Sequence, residues 1–150
     1  MRQTRVGLDG RPFQLLKFRT LSPVPAGEPT RWSEVDDERV GPVGRFLRRS
    51  SLDELPQLWN ILRGDMSLVG PRPEQPHYSA RFARRYPRYA DRLRTPVGLT
   101  GWAQIHGLRG ATSIEDRVSF DNYYIEHWSL WQDLKILIRT ATSVVRMRGG

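Results

Sequence analysis

The chain has 150 residues, and 24 Lys and Arg against 16 Asp and Glu give it a formal net charge of +8. That length suffices for one domain with its own core, and a hydrophobic share of 38% is too high for a disordered chain. The absence of cysteine excludes disulfide scaffolds, thiolate zinc sites and cysteine nucleophiles, and no apolar run of about 18 residues could form a transmembrane helix.

The residue pattern of the first quarter of the chain predicts a β-hairpin and then a loop. Residues 4–19 carry apolar residues on both sides of Asp9-Gly10, a dipeptide typical of hairpin turns. Residues 22–32 are rich in proline, glycine and polar residues, so they predict a loop.

Two short helices and a strand are predicted next. Residues 43–49 predict a short basic helix, and residues 66–69 a short strand. Between them, four apolar residues recur at helical spacing before Gly64, which marks the end of that helix. These four residues are Leu55, Leu58, Trp59 and Leu62.

The region from 75 to 110 is predicted to form two short helices followed by a loop. Residues 75–94 are rich in arginine and aromatic residues, and Pro87 in their middle predicts two short helices that meet there. Residues 95–110 contain four glycines and a proline, so they predict an extended, turn-rich loop.

The last forty residues predict two helices. Thr112 with Glu115 matches a capping box for a helix to about residue 126, and Ser129 with Gln132 matches another. The last helix, 130 to about 147, carries one apolar stripe. The stripe comprises Leu130, Leu134, Leu137, Ile138, Ala141 and Val145.

Together these elements predict an α+β fold. We expect a helix-dominated single domain over residues 1–150, with an N-terminal β-hairpin and long Gly/Pro-rich loops.

The acidic pair Asp53-Glu54 is the first candidate for chemistry, and two helix starts compete there. Ser51 with Glu54 fits a capping box, but Pro56 would then sit at the fifth helical position. With Asp53 as N-cap, Pro56 falls in the first turn. Either start puts two carboxylates at a positive helix end, where one could attack phosphorus and the other hold a divalent cation. The alternative is a capped helix with an acidic first turn.

Basic residues supply the second set of candidates. In Gly70-Pro71-Arg72-Pro73 the stiff backbone fixes the direction of Arg72, whose fork suits phosphate, although a solvated turn is the alternative. Lys17 and Arg19 close the hairpin and could clamp phosphates, or they could guard an edge strand.

Polar residues in the second half are weaker candidates. The glycines of 98–107 would let backbone amides approach a ligand, and Trp102 and Gln104 could stack on it or bond to it. The three histidines show no metal-ligand spacing. Asp121 is by default an exposed acid; if it is buried, it needs Lys17 or an arginine as partner.

Taken in order, four segments of the chain resemble the catalytic domain of the bacterial sugar transferases, the monotopic polyprenyl-phosphate phosphoglycosyl transferases. The segments are GRPFQLLKFRT, RRSSLDELPQLWNILRGDMSLVGPRPE, GLTGWAQIHGLRG and FDNYYIEHWSLWQDLKILIRT. The resemblance implies transfer of a sugar-1-phosphate from a nucleotide sugar, usually a UDP-sugar, to a polyprenyl phosphate. It implies a ping-pong mechanism through a phosphosugar-aspartyl intermediate, with Mg²⁺ required, that starts glycan assembly.

The resemblance also implies roles for individual residues. Asp53 matches the nucleophile, Glu54 the magnesium-binding residue and Arg72 a phosphate-binding residue of the family. Lys17 and Asp121 match further residues needed for activity. We add Arg19, Gln104 and Arg109 as expected substrate contacts, the last lying in Gly107-Leu108-Arg109-Gly110 where many members have Gly-Arg-Asn.

Family members carry an N-terminal hydrophobic helix that dips into the membrane and returns. We expect that these 150 residues correspond to the catalytic domain without it, peripheral at the cytoplasmic face of the membrane. Trp128 and Trp131 are interface-type residues, and the Arg-rich stretch 81–94 could contact anionic headgroups.

Two other functions are compatible with parts of the sequence. A chain without its anchor could bind nucleotide sugar without completing transfer. The positive charge could also indicate a nucleic-acid-binding module, but that function leaves Asp53-Glu54 and the Arg72 turn unexplained, so we expect no nucleic-acid partner.

Overall fold

The computed structural model describes residues 1–21, 40–110 and 112–148, without the side chains of 144–148, so the loop predicted at 22–32 lies outside the described residues. The predicted hairpin is present. Strands β1 (Arg2–Val6) and β2 (Pro12–Leu16) pair antiparallel, with Arg2 opposite Leu16. Asp9 and Gly10 form the turn with φ of 53° and 76°, the left-handed region that aspartate and glycine tolerate best.

Two helices follow, close to the predicted positions. They are α1 (Pro42–Arg49) and α2 (Gln57–Leu62), and Gly64 ends α2 with a φ of 81°. Both predicted starts of the second helix were wrong. Ser51 has a left-handed backbone with φ of 54°, Asp53 lies inside a 3₁₀ turn (Leu52–Glu54), and no side chain caps α2. The carboxylate pair therefore belongs to a separate turn rather than to the first turn of the helix.

A small parallel sheet lies at the centre of the chain. Strand β3 (Ser67–Val69) was predicted, but its partner β4 (Gly98–Thr100) and helix α4 (Trp102–Ile105) lie where we predicted only a loop. The glycines explain the difference, because a Cβ on Gly98 would lie 2.1 Å from the Gly70 nitrogen. These glycines allow two distant backbone segments to approach closely, and the local sequence pattern does not reveal such a contact.

The remaining helices agree with the prediction apart from the cap of one of them. They are α3 (Pro76–Arg85), a 3₁₀ turn (Ala90–Leu93), α5 (Ile114–Glu126) and α6 (Leu130–Arg148). Ser113, rather than Thr112, caps α5 by accepting a hydrogen bond from the Asp116 amide, whereas Ser129 accepts from the Gln132 amide as predicted. In the described ranges no helix combines the length and the apolar character needed to cross a membrane.

The core lies between α5, α6 and the parallel sheet. Val69, Tyr124 and Ile136 form its centre. Much of both predicted apolar stripes faces solvent instead, because α2 turns Gln57 and Asn60 inward and α6 buries Ile136. The exposed stripe residues are Leu55, Leu58, Trp59, Leu62, Leu130, Leu134 and Ile138.

Candidate active site

A cluster of two carboxylates and two cations joins the hairpin, the 3₁₀ turn Leu52–Glu54 and the turn after β3. Lys17 Nζ lies 2.8 Å from Asp53 Oδ2 and 3.4 Å from Glu54 Oε1. Arg72 donates to the same Glu54 oxygen at 3.0 Å. The Asp53 side chain is only 3% exposed, and its Oδ2 has ion-pair contact without hydrogen-bond geometry. Four residues from three distant segments thus form one charged cluster.

The cations hold Glu54 in its charged form. Burial by itself would raise the pKa of Glu54, but Arg72 and Lys17 together lower that pKa to about 2. In return, the Glu54 carboxylate raises the pKa of Arg72. At neutral pH Glu54 is therefore an ionised carboxylate that can pair with cations or bind a metal ion, and it cannot serve as a general acid.

In acid the wild type should lose the stability that this pairing provides, and Glu54→Gln, which lacks the carboxyl, should not show that loss. A carboxyl whose pKa falls from 4.5 to about 2 on folding stabilises the native state above pH 4.5 and loses that contribution as the pH falls towards 2. The shift corresponds to at most about 3 kcal/mol. Urea unfolding from pH 6 to 2 should therefore give a steeper decline for the wild type than for Glu54→Gln. The exposed Glu115→Gln should follow the wild type; parallel curves for all three proteins would contradict the assignment.

Backbone contacts set the distance between Lys17 and Asp53. The amide of Phe18 donates to the Asp53 carbonyl at 2.9 Å. The buried Asn60 of α2 accepts from the Leu16 amide at 2.9 Å and donates to the Gln14 carbonyl at 2.8 Å. Asn60 therefore fastens the helix after Asp53 to strand β2. We did not predict this role, because nothing local distinguishes this asparagine from a surface one.

The turn that carries Arg72 is held at successive residues. The Gly98 amide donates to the Pro71 carbonyl at 2.8 Å, and the Val6 amide donates to the Glu74 carbonyl at 2.9 Å. The buried Glu74 carboxylate accepts from Arg117 at 2.7 Å. The two prolines supply only part of the predicted rigidity, and tertiary hydrogen bonds supply the rest.

Asp121 lies outside the cluster. It is buried against Arg92 of the 3₁₀ turn Ala90–Leu93, with 2.7 Å between Arg92 Nη2 and Asp121 Oδ2. The default expectation of an exposed acid was therefore wrong. Its partner is Arg92 rather than Lys17. Arg92 also donates to the Arg72 carbonyl at 3.0 Å. Asp121 therefore contacts Arg92, which in turn contacts the backbone of Arg72.

The other predicted substrate contacts lie at the margin. Arg109 donates from its Nε to the Gln104 carbonyl at 3.2 Å, and partial burial of its guanidinium, with the like charge of Arg72, lowers its pKa. Gln104 is buried and donates to the Leu99 carbonyl, while its Oε1 lacks a hydrogen-bond partner among the described residues. Arg19 is exposed beyond β2. Trp102 is half-buried and packs against the core, with its ring centroid 4.4 Å from that of His106.

The donor set fits Mg²⁺ that is shared with a substrate. In the described part of the chain no group of three or more Asp, Glu or His side chains could hold a metal alone. Asp53 and Glu54 are adjacent oxygen donors, and Mg²⁺ characteristically takes one or two carboxylates together with substrate phosphates and water. Because Lys17 and Arg72 already compensate Glu54, we expect weak metal binding without an anionic ligand.

Comparison with known proteins identifies close relatives of this chain. Residues 1–147 match the family model described as "Bacterial sugar transferase". The UDP-glucose:undecaprenyl-phosphate glucose-1-phosphate transferase of Caulobacter vibrioides is 50% identical over 148 residues, which cover 96% of this chain and 55% of that protein.

Two further relatives carry related names. The Escherichia coli protein of the same name is 45% identical over 143 residues, covering 93% of this chain and 31% of that protein. The UDP-N-acetylgalactosamine-undecaprenyl-phosphate N-acetylgalactosaminephosphotransferase of Aeromonas hydrophila is 39% identical over 145 residues, covering 95% and 34%. The chain thus spans about half or less of the length of these relatives.

Proposed function

The chain belongs to the bacterial sugar transferase family, and on that premise we propose that it is a phosphoglycosyl transferase. It transfers a sugar-1-phosphate from a nucleotide sugar, with UDP-sugars as the first choice, to a polyprenyl phosphate such as undecaprenyl phosphate. The product is a polyprenyl-diphospho-sugar that starts the assembly of a surface glycan. The names of the relatives support the donor and acceptor classes.

The observation that carries this proposal is the environment of Asp53. Its carboxylate is buried, is 2.8 Å from Lys17 and lies beside the Glu54–Arg72 pair. A buried carboxylate beside cations can attack phosphorus, while the cations stabilise the charge that spreads over the phosphoryl oxygens.

Two displacements at one phosphorus give the reaction. An Asp53 oxygen forms a bond to the phosphorus that carries the sugar, and the bond from this phosphorus to the oxygen shared with the nucleotide breaks. The electron pair leaves with the nucleoside monophosphate. An oxygen of polyprenyl phosphate then attacks the same phosphorus, and the bond to Asp53 breaks to restore the carboxylate.

Glu54, together with Asp53, would hold the Mg²⁺ that the family resemblance implies. Bound there, the ion would neutralise phosphate oxygens during transfer. Arg72 and Lys17 would orient the transferred phosphoryl group, and Arg109, Gln104 and Arg19 would contact the remainder of the donor.

We place the protein at the cytoplasmic face of the membrane. Exposed apolar side chains on α2 and α6 support membrane association, as do Trp128 and Trp131, which are 60% and 62% exposed. The arginines of 81–94 support it less, since Arg92 is buried and Arg88 pairs with Asp91 and Glu126.

The covalent half-reaction tests the function directly. The purified chain should be incubated with Mg²⁺ and a panel of UDP-sugars without lipid, and intact-mass spectrometry should show the addition of one sugar phosphate, which peptide mapping locates at Asp53. Omitting Mg²⁺ or adding EDTA should abolish the adduct. Detergent-dispersed polyprenyl phosphate should then discharge it into lipid product.

The outcomes separate full transfer from mere binding. A discharged adduct supports the whole reaction, whereas an adduct that persists with lipid indicates a chain that binds donor but does not complete transfer. A folded protein that gives no adduct with any UDP-sugar would contradict the proposed covalent mechanism.

A further inference from the structure

Strand β1 carries an arginine that faces the candidate site and has no role in the proposal above. Arg5 and Arg72 line one small cavity together with Lys17, Glu54 and Gln57. Arg5 is half-buried; its terminal nitrogens donate to Gln3 at 2.9 Å and, weakly, to the Pro73 carbonyl at 3.5 Å. Its Nε is buried without a hydrogen-bond partner among the described residues.

The charges around Arg5 are not balanced. The carboxylates whose charge acts on Arg5 are those of Glu74 and Glu54. Each already has a partner: Glu74 pairs with Arg117 at 2.7 Å, and Glu54 pairs with Arg72 at 3.0 Å. Burial is the largest influence on the pKa of Arg5 and lowers it; the charges of Glu74 and Glu54 oppose this effect, and the like charge of Arg72 adds to it. A cation held in this way costs stability unless an anion completes its surroundings.

The whole site has a surplus of positive charge. Two carboxylates, Asp53 and Glu54, lie with three cations, Lys17, Arg72 and Arg5, in the described part of the chain. The surplus cation is Arg5, which has no carboxylate of its own. Such a surplus matches a ligand with two charged phosphoryl groups better than one with a single group.

In-line chemistry indicates which phosphate needs a second cation. In each half-reaction Asp53 occupies one of the two in-line positions at the reacting phosphorus, first as the attacking group and then as the leaving group. The departing nucleoside monophosphate and the incoming polyprenyl phosphate must therefore use the other position in turn. Both are phosphate monoesters, so one cationic subsite can serve both.

We propose that Arg5 binds this shared phosphate monoester, while Arg72 binds the phosphoryl group that is transferred. The inference rests on the proposed function and extends it by one residue and one subsite. Arg5 touches substrate but takes no part in bond making, so its loss weakens the binding of both phosphates and leaves the nucleophile in place.

Equilibrium binding without turnover tests the subsite. Isothermal titration calorimetry should measure UMP with Mg²⁺, and farnesyl phosphate in detergent, on the full chain and on Arg5→Gln. We expect both affinities to fall by about tenfold to a hundredfold in Arg5→Gln, the usual range for losing hydrogen bonds to a charged group. Arg5→Lys, which keeps the charge but not the fork, should lie between the two proteins.

Arg2→Gln is the matched control. Arg2 lies on the same strand with an exposed side chain, and the alternation of β1 points it to the opposite face from Arg5. It removes the same charge from the chain and should leave both affinities within about twofold of the wild type.

Thermal unfolding without ligand separates binding from a structural role. Because Arg5 lies beside Arg72 without a carboxylate of its own, Arg5→Gln should unfold at the same temperature as the wild type or higher. Lower thermal stability with unchanged affinities would overturn the inference. If Arg5→Gln does not fold, the comparison rests on Arg5→Lys, and equal affinities of Arg5→Lys and wild type would then overturn it.

The two ligands and the adduct assay keep the proposals apart. Weakened UMP binding with unchanged farnesyl phosphate binding would overturn the shared subsite. If the wild type forms the sugar-phosphate adduct but its UMP affinity equals that of Arg5→Gln, this inference alone is overturned. A wild type that forms no adduct and binds neither phosphate would overturn the proposed function as well.

Discussion

Replacing Asp53 with asparagine should abolish both the covalent adduct and the release of nucleoside monophosphate. The amide keeps the size of the side chain but is a far weaker nucleophile than a carboxylate, so we expect turnover to fall by at least about 10⁴-fold. The measurement is UMP release from the UDP-sugar that labels the wild type, together with intact mass. The fold should survive, because the Phe18 amide bonds to the backbone of Asp53 rather than to its side chain.

Asp9→Asn is the control for this variant. Asp9 is an exposed acid that also lies in a 3₁₀ turn, and asparagine tolerates its left-handed backbone. It should release UMP at the wild-type rate. If Asp53→Asn is folded and turns over normally, Asp53 is not the nucleophile, and the proposed covalent mechanism loses its basis.

Replacing Asp121 with asparagine should have the largest effect on stability. Asp121 and Arg92 are each 2% exposed as side chains, so the variant leaves a guanidinium buried without its counter-charge. Breaking such a pair costs about 3–5 kcal/mol, or roughly 10–15 °C in melting temperature for a chain of this size. Differential scanning calorimetry should show the loss, and Asp116→Asn, an exposed position on the same helix, should not.

A double variant separates positioning from chemistry at Asp121. Replacing Arg92 with methionine and Asp121 with leucine removes both charges and should recover part of the lost stability. Activity should stay low, since the Arg72 carbonyl loses the hydrogen bond from Arg92. An Asp121→Asn protein that is as stable as the wild type but inactive would instead place Asp121 in the chemistry, as the family resemblance implies.

The sequence alone determined the features that depend on neighbouring residues. The Asp9-Gly10 turn and the end of α2 at Gly64 both follow from local backbone preferences, and the structure contains them. Each motif around Asp53, Glu54, Arg72 and Lys17 left a non-functional alternative open, and only the family resemblance joined these residues into one expected site. The structure brings these four together.

Only the tertiary structure decided which faces are buried and which charges meet. An apolar stripe shows that a helix has two faces, but the neighbours choose between them. In α2 the hydrogen bonds of Asn60 to the hairpin outweigh the burial of Leu58 and Trp59, which stay exposed. The pairing of Asp121 with Arg92 and the approach of Arg5 to Arg72 join segments 29 and 67 residues apart. Contacts over such separations depend on how the chain packs, and no local pattern in the sequence encodes them.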